Sequence, residues 1–298
     1  MATVGVEEHA VPGRSRGASG RHRVKWHKLL GSVARIVIIG LACAFWLFPV
    51  YWLAVTSIKS EADIGAIPPV WVFQPVLDHW KTVLYEWNML QFLKNSILIA
   101  SVSTFLTVLL GTMAAYSLSR FHMRGKQLIA LEILSIRMIP PIVTAVPIFL
   151  LARKVGLYNT YALVILLYIL FNLPFVIWVM KGFLDEVPRE IEEAAKVDGC
   201  GVMGTFLRII LPIATPGLAC VAIFTFILSW NEFLFSNVLL AGDHRTVPVI
   251  AALGLKPRAI LWGSASAAAL AIIIPVVILA FFLQRWIVRG LSLGAVKE

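Results

Sequence analysis

The chain has 298 residues, of which 59% are hydrophobic and 14% are charged, and its mean hydropathy is +0.86. Soluble globular domains are about 45–50% apolar and about 25% charged, so this composition excludes an ordinary soluble domain and indicates a membrane protein. The net charge of +10 is concentrated near the N-terminus and at the ends of apolar runs, a pattern typical of membrane topology that argues against a nucleic-acid partner.

Residues 1–30 are polar, basic and rich in Gly and Ser, and they predict a disordered cytoplasmic tail. A membrane-spanning helix needs about 20 mostly apolar residues. About six such segments follow, near residues 31–57, 92–118, 127–151, 158–180, 211–240 and 262–285. The predicted fold class is therefore an all-α polytopic membrane protein, with residues 31–298 forming one transmembrane domain.

Prolines near the middle of the chain and beyond interrupt four of the predicted spans. They are Pro140, Pro141 and Pro147 in the third, and Pro174, Pro216 and Pro275 in the fourth, fifth and sixth. Proline removes a helical hydrogen bond and kinks or breaks a helix. In a bilayer this is tolerated where neighbouring helices or a wet cavity satisfy the freed carbonyls. Interrupted helices of this kind favour a transporter over a structural anchor.

Basic residues predict the orientation of the spans. Six spans place both termini on the same side of the membrane. Seventeen of the 26 Lys and Arg residues lie in the N-terminal region, in the loops near residues 119–126 and 181–210, and at the C-terminal end. Because basic segments are retained in the cytoplasm, these four segments and both termini are predicted to be cytoplasmic.

The sequence lacks the common motifs of catalysis and of nucleotide binding. It contains no H-E-x-x-H, no G-x-S-x-G and no cluster of His, Cys and carboxylates at metal-ligand spacing. The phosphate-binding motif G-x-x-x-x-G-K-[ST] is also absent. We therefore predict no catalytic residues, no metal site and no cofactor bound by this chain.

An ionisable residue inside a membrane span suggests a functional role, because placing a charge in a bilayer is unfavourable. Arg137 and Glu232 are the clearest, and Asn231 lies beside Glu232 in the stretch SWNEFLFS. One interpretation places Arg137, Asn231 and Glu232 on a substrate pathway. The alternative is that they form hydrogen bonds between helices or lie at the membrane interface.

The segment EIEEAAKVDGCGVMGTFLRIILP, residues 190–212, is polar although its neighbours are apolar. Pro188 and the glutamates after it suit the first turn of a helix, and Gly199 suits the end of that helix. Ile191, Ala194 and Ala195 share one face at helical spacing. The segment predicts two short helices that meet at a glycine bend, with a small-residue face on which another surface can dock.

The same segment resembles a family motif. It fits the spacing E-A-A, three residues, Gly, nine residues, I-x-L-P, which is similar to the EAA loop in the membrane subunits of ABC importers. The stretches FLKNSILIASVSTFLTVLLGTMAAYSLSRF, GLYNTYALVIL and QRWIVRGLSLGAVKE resemble the carbohydrate-importer branch, the relatives of the smaller maltose-transporter permease. The resemblance covers about residues 31–298.

This resemblance implies a type I ABC importer permease fold with a coupling loop at about residues 185–212. It implies that Glu193 is a polar anchor to an ATPase, that Ala194 and Ala195 form a close-contact face, and that Asp198 and Gly199 complete the bend. The implied partners are a second permease subunit in a heterodimer, two cytoplasmic ABC ATPase subunits that bind ATP and Mg, and an extracytoplasmic solute-binding protein.

The function implied is that of a membrane-spanning permease subunit of an ATP-driven ABC importer, in the plasma (inner) membrane of a prokaryote, carrying a sugar or a related solute. Two other classes of protein are alternatives. A stand-alone ion- or proton-coupled carrier would show internal repeats and ionisable relays inside the membrane, and a membrane-embedded enzyme is disfavoured by the missing motifs. Sugars, polyols and glycerol phosphates all remain open as cargo.

Overall fold

The computed structural model describes residues 21–254 and 261–293, and every regular element in these ranges is helical. The α-helices are α1 (Arg21–Thr56), α2 (Glu61–Ile64), α3 (Asp78–Lys81), α4 (Met89–Arg120), α5 (Lys126–Ser135), α6 (Pro141–Lys154), α7 (Tyr161–Glu186), α8 (Arg189–Val197), α9 (Val202–Thr205), α10 (Leu211–Ile213), α11 (Thr215–Trp230), α12 (Leu234–Leu239), α13 (Val247–Gly254) and α14 (Trp262–Leu293). Short π-helical turns at Thr82–Glu86 and Phe206–Ile210, and 3₁₀ turns at Ile136–Met138 and Gly242–His244, connect some of them.

The six predicted spans are confirmed as four long apolar helices and two bent pairs. In the described ranges, α1, α4, α7 and α14 are each long and apolar enough to cross a membrane. The third span is α5 and α6, bent by 84° at Ile139 and Pro140, where Pro140 cannot continue a helix. The fifth predicted span, 211–240, contains α11, which forms a pair with residues 202–213 bent by 78° at Ala214 just before Pro216; the first part of that pair belongs to the polar segment of residues 190–212.

Two sequence predictions differ from the structure. Pro174 and Pro275 do not interrupt their spans, since α7 and α14 each continue through the proline as one helix. A proline removes one backbone donor, and the long apolar sequence on both sides retains the remaining hydrogen bonds. The helix α1 begins at Arg21, so the last ten residues of the predicted disordered tail are helical. Residues 1–20 lie outside the described residues, and their disorder stays a prediction.

The chain divides into two compact units, residues 1–52 and 53–298. In the first unit, residues 31–52 of α1 expose their large apolar side chains, and Phe45 and Trp46 are 73% and 76% exposed. A helix that is apolar and exposed all round is typical of a lipid-facing or subunit-facing span.

In the second unit, α4 packs along α7 and α11, and α11 also contacts α14. The two helices α4 and α7 approach closely at Gly111, where a Cβ atom would lie 2.6 Å from Val176 Cγ1. A small residue at a helix interface lets two backbones approach closely in a membrane. This packing fixes the position of Arg120, the last residue of α4.

Three apolar clusters form the core of the second unit. The first surrounds Tyr116 at the Arg120 end of α4 and joins it to α7 and to residues 206–221; the second joins α4 and α7 to α6 and α12; the third joins the start of α4 to α13 and α14. The first cluster supports the polar segment at residues 187–212, which emerges between α7 and α11.

Candidate functional site

The polar segment folds as the sequence predicts, into a helix, a glycine bend and a second helical stretch. Glu190 and Glu192 lie in the first turn of α8, where acids favour the positive end of a helix. The helix ends at Val197, and Gly199, two residues later, has φ +82°, a conformation that favours glycine. The amide of Cys200 then donates to the Ala195 carbonyl at 2.9 Å and closes the turn.

The structure places Glu193 and Ala194 on the exposed side of α8 and Ala195 on the buried side, where it is only 4% exposed, and Asp198 and Gly199 are exposed in the turn after the helix. The prediction that Ala194 and Ala195 share one contact face is therefore wrong. Successive helical residues are about 100° apart, and the side that carries Ala195 also carries Glu192, which contacts Arg120 at the end of α4.

Glu192 shares the buried side of α8 with Ala195 and is 6% exposed. Its carboxylate forms an ion pair with the Nε of Arg120 and accepts a hydrogen bond from the Tyr116 hydroxyl at 3.1 Å. Arg120 also donates through Nη2 to the Val187 carbonyl at 2.9 Å, in the connection between α7 and α8. Buried charges are paired in this way because unpaired ones are strongly destabilising.

Sequence reasoning missed the pair formed by Glu192 and Arg120. The available signal was the three-residue spacing from Glu192 to Ala195, which places both on one side of a helix. An acid on the buried side of a helix requires a basic partner. Arg120, at the end of the second apolar run, is such a base.

A second group of polar side chains joins the start of the polar segment to the end of α4. The Ser119 hydroxyl donates to Asp185 Oδ1 at 2.5 Å, and Lys181 forms an ion pair with the same carboxylate. The Ser119 carbonyl accepts from Lys126 at 3.2 Å and from Arg189 at 3.4 Å. The last turn of α4 therefore contacts α5, α7 and α8 together.

The outward side of the segment is both acidic and apolar. We call it the coupling face, and it consists of Glu193, Ala194, Val197, Val202 and Met203, all exposed. The side chain of Val197 is 88% exposed, and those of Val202 and Met203 are 49% and 56% exposed. Exposed apolar residues grouped in this way mark a protein interaction site.

The structure does not bring the three predicted pathway residues together. Arg137 is exposed and lies over the Phe175 ring at 5.4 Å from its centroid. Asn231 is exposed and donates to the Ile227 carbonyl of its own helix at 2.9 Å. Their place on a substrate pathway stays a prediction.

Glu232 caps a helix. Its carboxylate accepts from the backbone amides of Phe235 at 2.8 Å and Ser236 at 3.2 Å, at the start of α12. It also accepts from the Tyr168 hydroxyl at 2.7 Å. The capping contacts join α12 to α7 and give the carboxylate a structural role that is independent of any cargo.

Replacing Glu232 with alanine is expected to lower the free energy of unfolding by about 1–2 kcal/mol, because a helix cap is lost and the buried Tyr168 hydroxyl loses its acceptor. Thermal unfolding of the purified protein in detergent measures the change. Glu232→Gln, which keeps an acceptor oxygen, should retain most of the stability, and Asn231→Ala is the exposed control. Unfolding of Glu232→Ala at the wild-type temperature would contradict the capping role.

In residues 21–254 and 261–293, no three His, Cys, Asp or Glu side chains are grouped so that they could hold a metal ion. The chemistry of the segment is therefore that of a buried ion pair on one side and a docking surface on the other.

Comparison with known proteins shows which protein family the sequence of this chain matches. The family model described as "Binding-protein-dependent transport system inner membrane component" matches residues 107–293, which include the end of α4, the coupling face and α14. The chain belongs to this family of transport-system membrane components.

Several transport permeases are similar to this family member along most of its length. The trehalose/maltose transport system permease protein MalG of Thermococcus litoralis is 36% identical over 270 residues, 88% of this chain and 96% of the relative. The trehalose transport system permease protein SugB of Mycobacterium tuberculosis is 36% identical over 266 residues, 88% and 96% of the two chains. The sulfoquinovosyl glycerol transport system permease protein SmoH of Agrobacterium fabrum is 32% identical over 269 residues, 90% and 94%.

Solved structures show the same fold. A bacterial ABC transporter involved in the import of the acidic polysaccharide alginate matches with a TM-score of 0.67 at 20% identity, over 92% of this chain and 99% of that chain. The alginate transporter in complex with its alginate pentasaccharide-bound periplasmic protein matches with a TM-score of 0.62 at 16% identity, over 88% and 95%. The predicted type I importer permease fold is confirmed.

This member of the family is a membrane-spanning permease subunit of an ATP-driven ABC importer. The expectation of a transport subunit is thereby confirmed. The alternative of a stand-alone carrier finds no support among the relatives named above.

Proposed function

We propose that this chain is one half of a heterodimeric permease that imports a sugar or a sugar derivative. The names of its relatives support this cargo class, since they specify trehalose, maltose and sulfoquinovosyl glycerol. The neighbour of known structure imports alginate, which is also a saccharide. The shared chemistry of these solutes is a polyhydroxylated ring, and the class is proposed at that level.

The coupling face is the observation that supports the part of this proposal that concerns the energy source, a separate ATPase. It is exposed, apolar at Val197, Val202 and Met203, and acidic at Glu193. A surface of this kind fits a soluble partner that offers an apolar cleft and a basic side chain. We infer that this partner is a cytoplasmic ABC ATPase, present in two copies, which binds the ATP and Mg for which this sequence has no phosphate-binding motif.

The proposed orientation places both termini and the coupling face in the cytoplasm, where ATP is available. It is supported by the concentration of basic residues in these segments. An extracytoplasmic solute-binding protein would then deliver the cargo from the opposite side. The alginate transporter in complex with a periplasmic protein provides the precedent for that arrangement.

Reconstitution tests the whole proposal. The transporter is assembled in liposomes from this chain, a second permease, the ATPase and the binding protein that co-purify with it, and the uptake of radiolabelled trehalose and maltose is followed. Uptake is expected only when ATP and every component are present, and omission of one component at a time is the control. Uptake by this chain alone, driven by an ion gradient, would overturn the proposal.

A further inference from the structure

The feature that carries a further inference is a closed set of contacts, which we call the Arg120 clamp. It consists of Arg120, Glu192, Tyr116 and the Val187 carbonyl. The guanidinium of Arg120 binds the Glu192 carboxylate in α8 and the Val187 carbonyl that precedes α8. The Tyr116 hydroxyl donates to the second Glu192 oxygen at 3.1 Å. Three hydrogen bonds to α8 and the connection before it therefore originate from the last two turns of α4.

Within α8, Glu192 lies on the side opposite Ala194 and Val197, whereas Glu193 and Val202 of the coupling face border the same cavity as the clamp. Glu192 is buried, whereas Glu193 and Val197 are exposed. A helix of nine residues is short and stiff, so a displacement applied at the coupling face moves Glu192 with it. The ion pair then delivers that displacement to Arg120 and to α4, which packs along α7 and α11.

The covalent connections of α8 to its neighbouring helices are short. Two residues, Val187 and Pro188, separate α8 from α7, and Gly199 with its positive φ separates α8 from α9. Without the clamp, the bond from Arg189 to the Ser119 carbonyl, which is long at 3.4 Å, would still tie α8 to the last turn of α4, and a pull on α8 would be delivered to α4 less completely. A charge-assisted contact with a second hydrogen bond from Tyr116 makes that delivery more complete, because charge-assisted hydrogen bonds are the strong ones.

We propose that Glu192 is the positioning residue that transmits motion of the coupling face to α4. This inference rests on the proposed function, because it assumes that an ATPase pulls on the coupling face. Two adjacent glutamates then have different roles. Glu193 contacts the ATPase, and Glu192 transmits the resulting displacement of α8 to the membrane-spanning helix α4. Arg120 and Tyr116 hold the Glu192 carboxylate in place.

The ratio of ATP hydrolysed to solute transported tests the inference in the complete, reconstituted transporter. Glu192→Gln keeps the shape and one acceptor but removes the charge, and Glu192→Ala removes the contact. Coupling between sites corresponds to about 5–150-fold effects, so we expect the ratio to rise several-fold for Glu192→Gln and at least about tenfold for Glu192→Ala. The control is Glu186→Gln, an exposed acid at the end of α7 and outside α8, for which the ratio should stay at the wild-type value.

A merely structural role predicts a different result. Loss of folded protein lowers ATP hydrolysis and transport in proportion, and the ratio stays unchanged; that outcome overturns the inference. If Glu192→Ala fails to assemble, Glu192→Gln decides alone, and a wild-type ratio for it also overturns the inference. Failure of the proposed function is distinguishable, because then the wild-type protein itself shows no ATP-dependent uptake. The variants of Glu192 should still co-purify with the ATPase.

Discussion

Replacing Glu193 with lysine is expected to separate this permease from its ATPase while leaving the membrane helices folded. Glu193 is exposed on the coupling face beside Ala194 and Val197. Among residues 21–254 and 261–293, no hydrogen bond or ion pair involves its carboxylate, so the substitution removes no internal contact. We therefore expect the substitution to weaken binding of the ATPase and to leave the fold of this chain unchanged.

The expected size of this effect follows from the charge reversal. A basic side chain on the ATPase that paired with Glu193 would face a like charge, and like charges opposed at an interface are unfavourable by several kcal/mol. Because 1.4 kcal/mol is a tenfold change in affinity, association is expected to weaken by about 100-fold or more. ATP-dependent uptake is expected to be lost to the same extent.

Co-purification of the ATPase with the tagged permease measures the association, and uptake by cells or liposomes measures the consequence. Glu186→Lys is the matched control, since it reverses an exposed charge at the end of α7, outside α8 and the coupling face. Membrane abundance of both variants should equal that of the wild type. A Glu193→Lys protein that retains the ATPase and full uptake would remove Glu193 from the interface.

The sequence was sufficient wherever structure depends on neighbouring residues. The helix α8 ends just before Gly199 because the turn needs a positive φ, and local chemistry predicts that conformation. The break at Pro140 follows from the missing backbone donor of proline. The lengths of the apolar runs were enough to predict the spans, because the thickness of the bilayer sets the length of a helix that crosses it.

The sequence was insufficient wherever structure depends on contacts between distant residues. Whether Ala194 or Ala195 faces outward depends on how α8 rests against α4, and helical periodicity alone does not determine that. Arg120 and Glu192 are 72 positions apart, so no spacing rule connects them. Glu232 is a different case: its capping contacts are with residues three and four positions later, and its place inside a predicted span directed attention to transport instead.

Replacing Arg120 with alanine is expected to be among the most destabilising changes in the chain. It leaves the Glu192 carboxylate buried without a cation and the Val187 carbonyl without the donor at 2.9 Å. Removing one partner of a buried pair lowers the free energy of unfolding by about 3–5 kcal/mol. Thermal unfolding in detergent and the amount of protein in the membrane measure this loss. Lys181→Ala is the control, because its ion pair with Asp185 is more exposed and an exposed pair contributes at most about 1 kcal/mol.

The double substitution Arg120→Met with Glu192→Leu separates stability from transmission. Apolar residues of similar volume can replace a buried ion pair with little loss of stability, and sometimes with a gain. The double variant is therefore expected to recover most of the stability that Arg120→Ala loses. If it is instead as unstable as the single variant, the two charges do not stabilise the fold through each other. Suppose that the double variant folds, binds the ATPase and hydrolyses ATP, but transports little. That result would show that the ion pair is needed to move α4 with the coupling face, in addition to any contribution to stability.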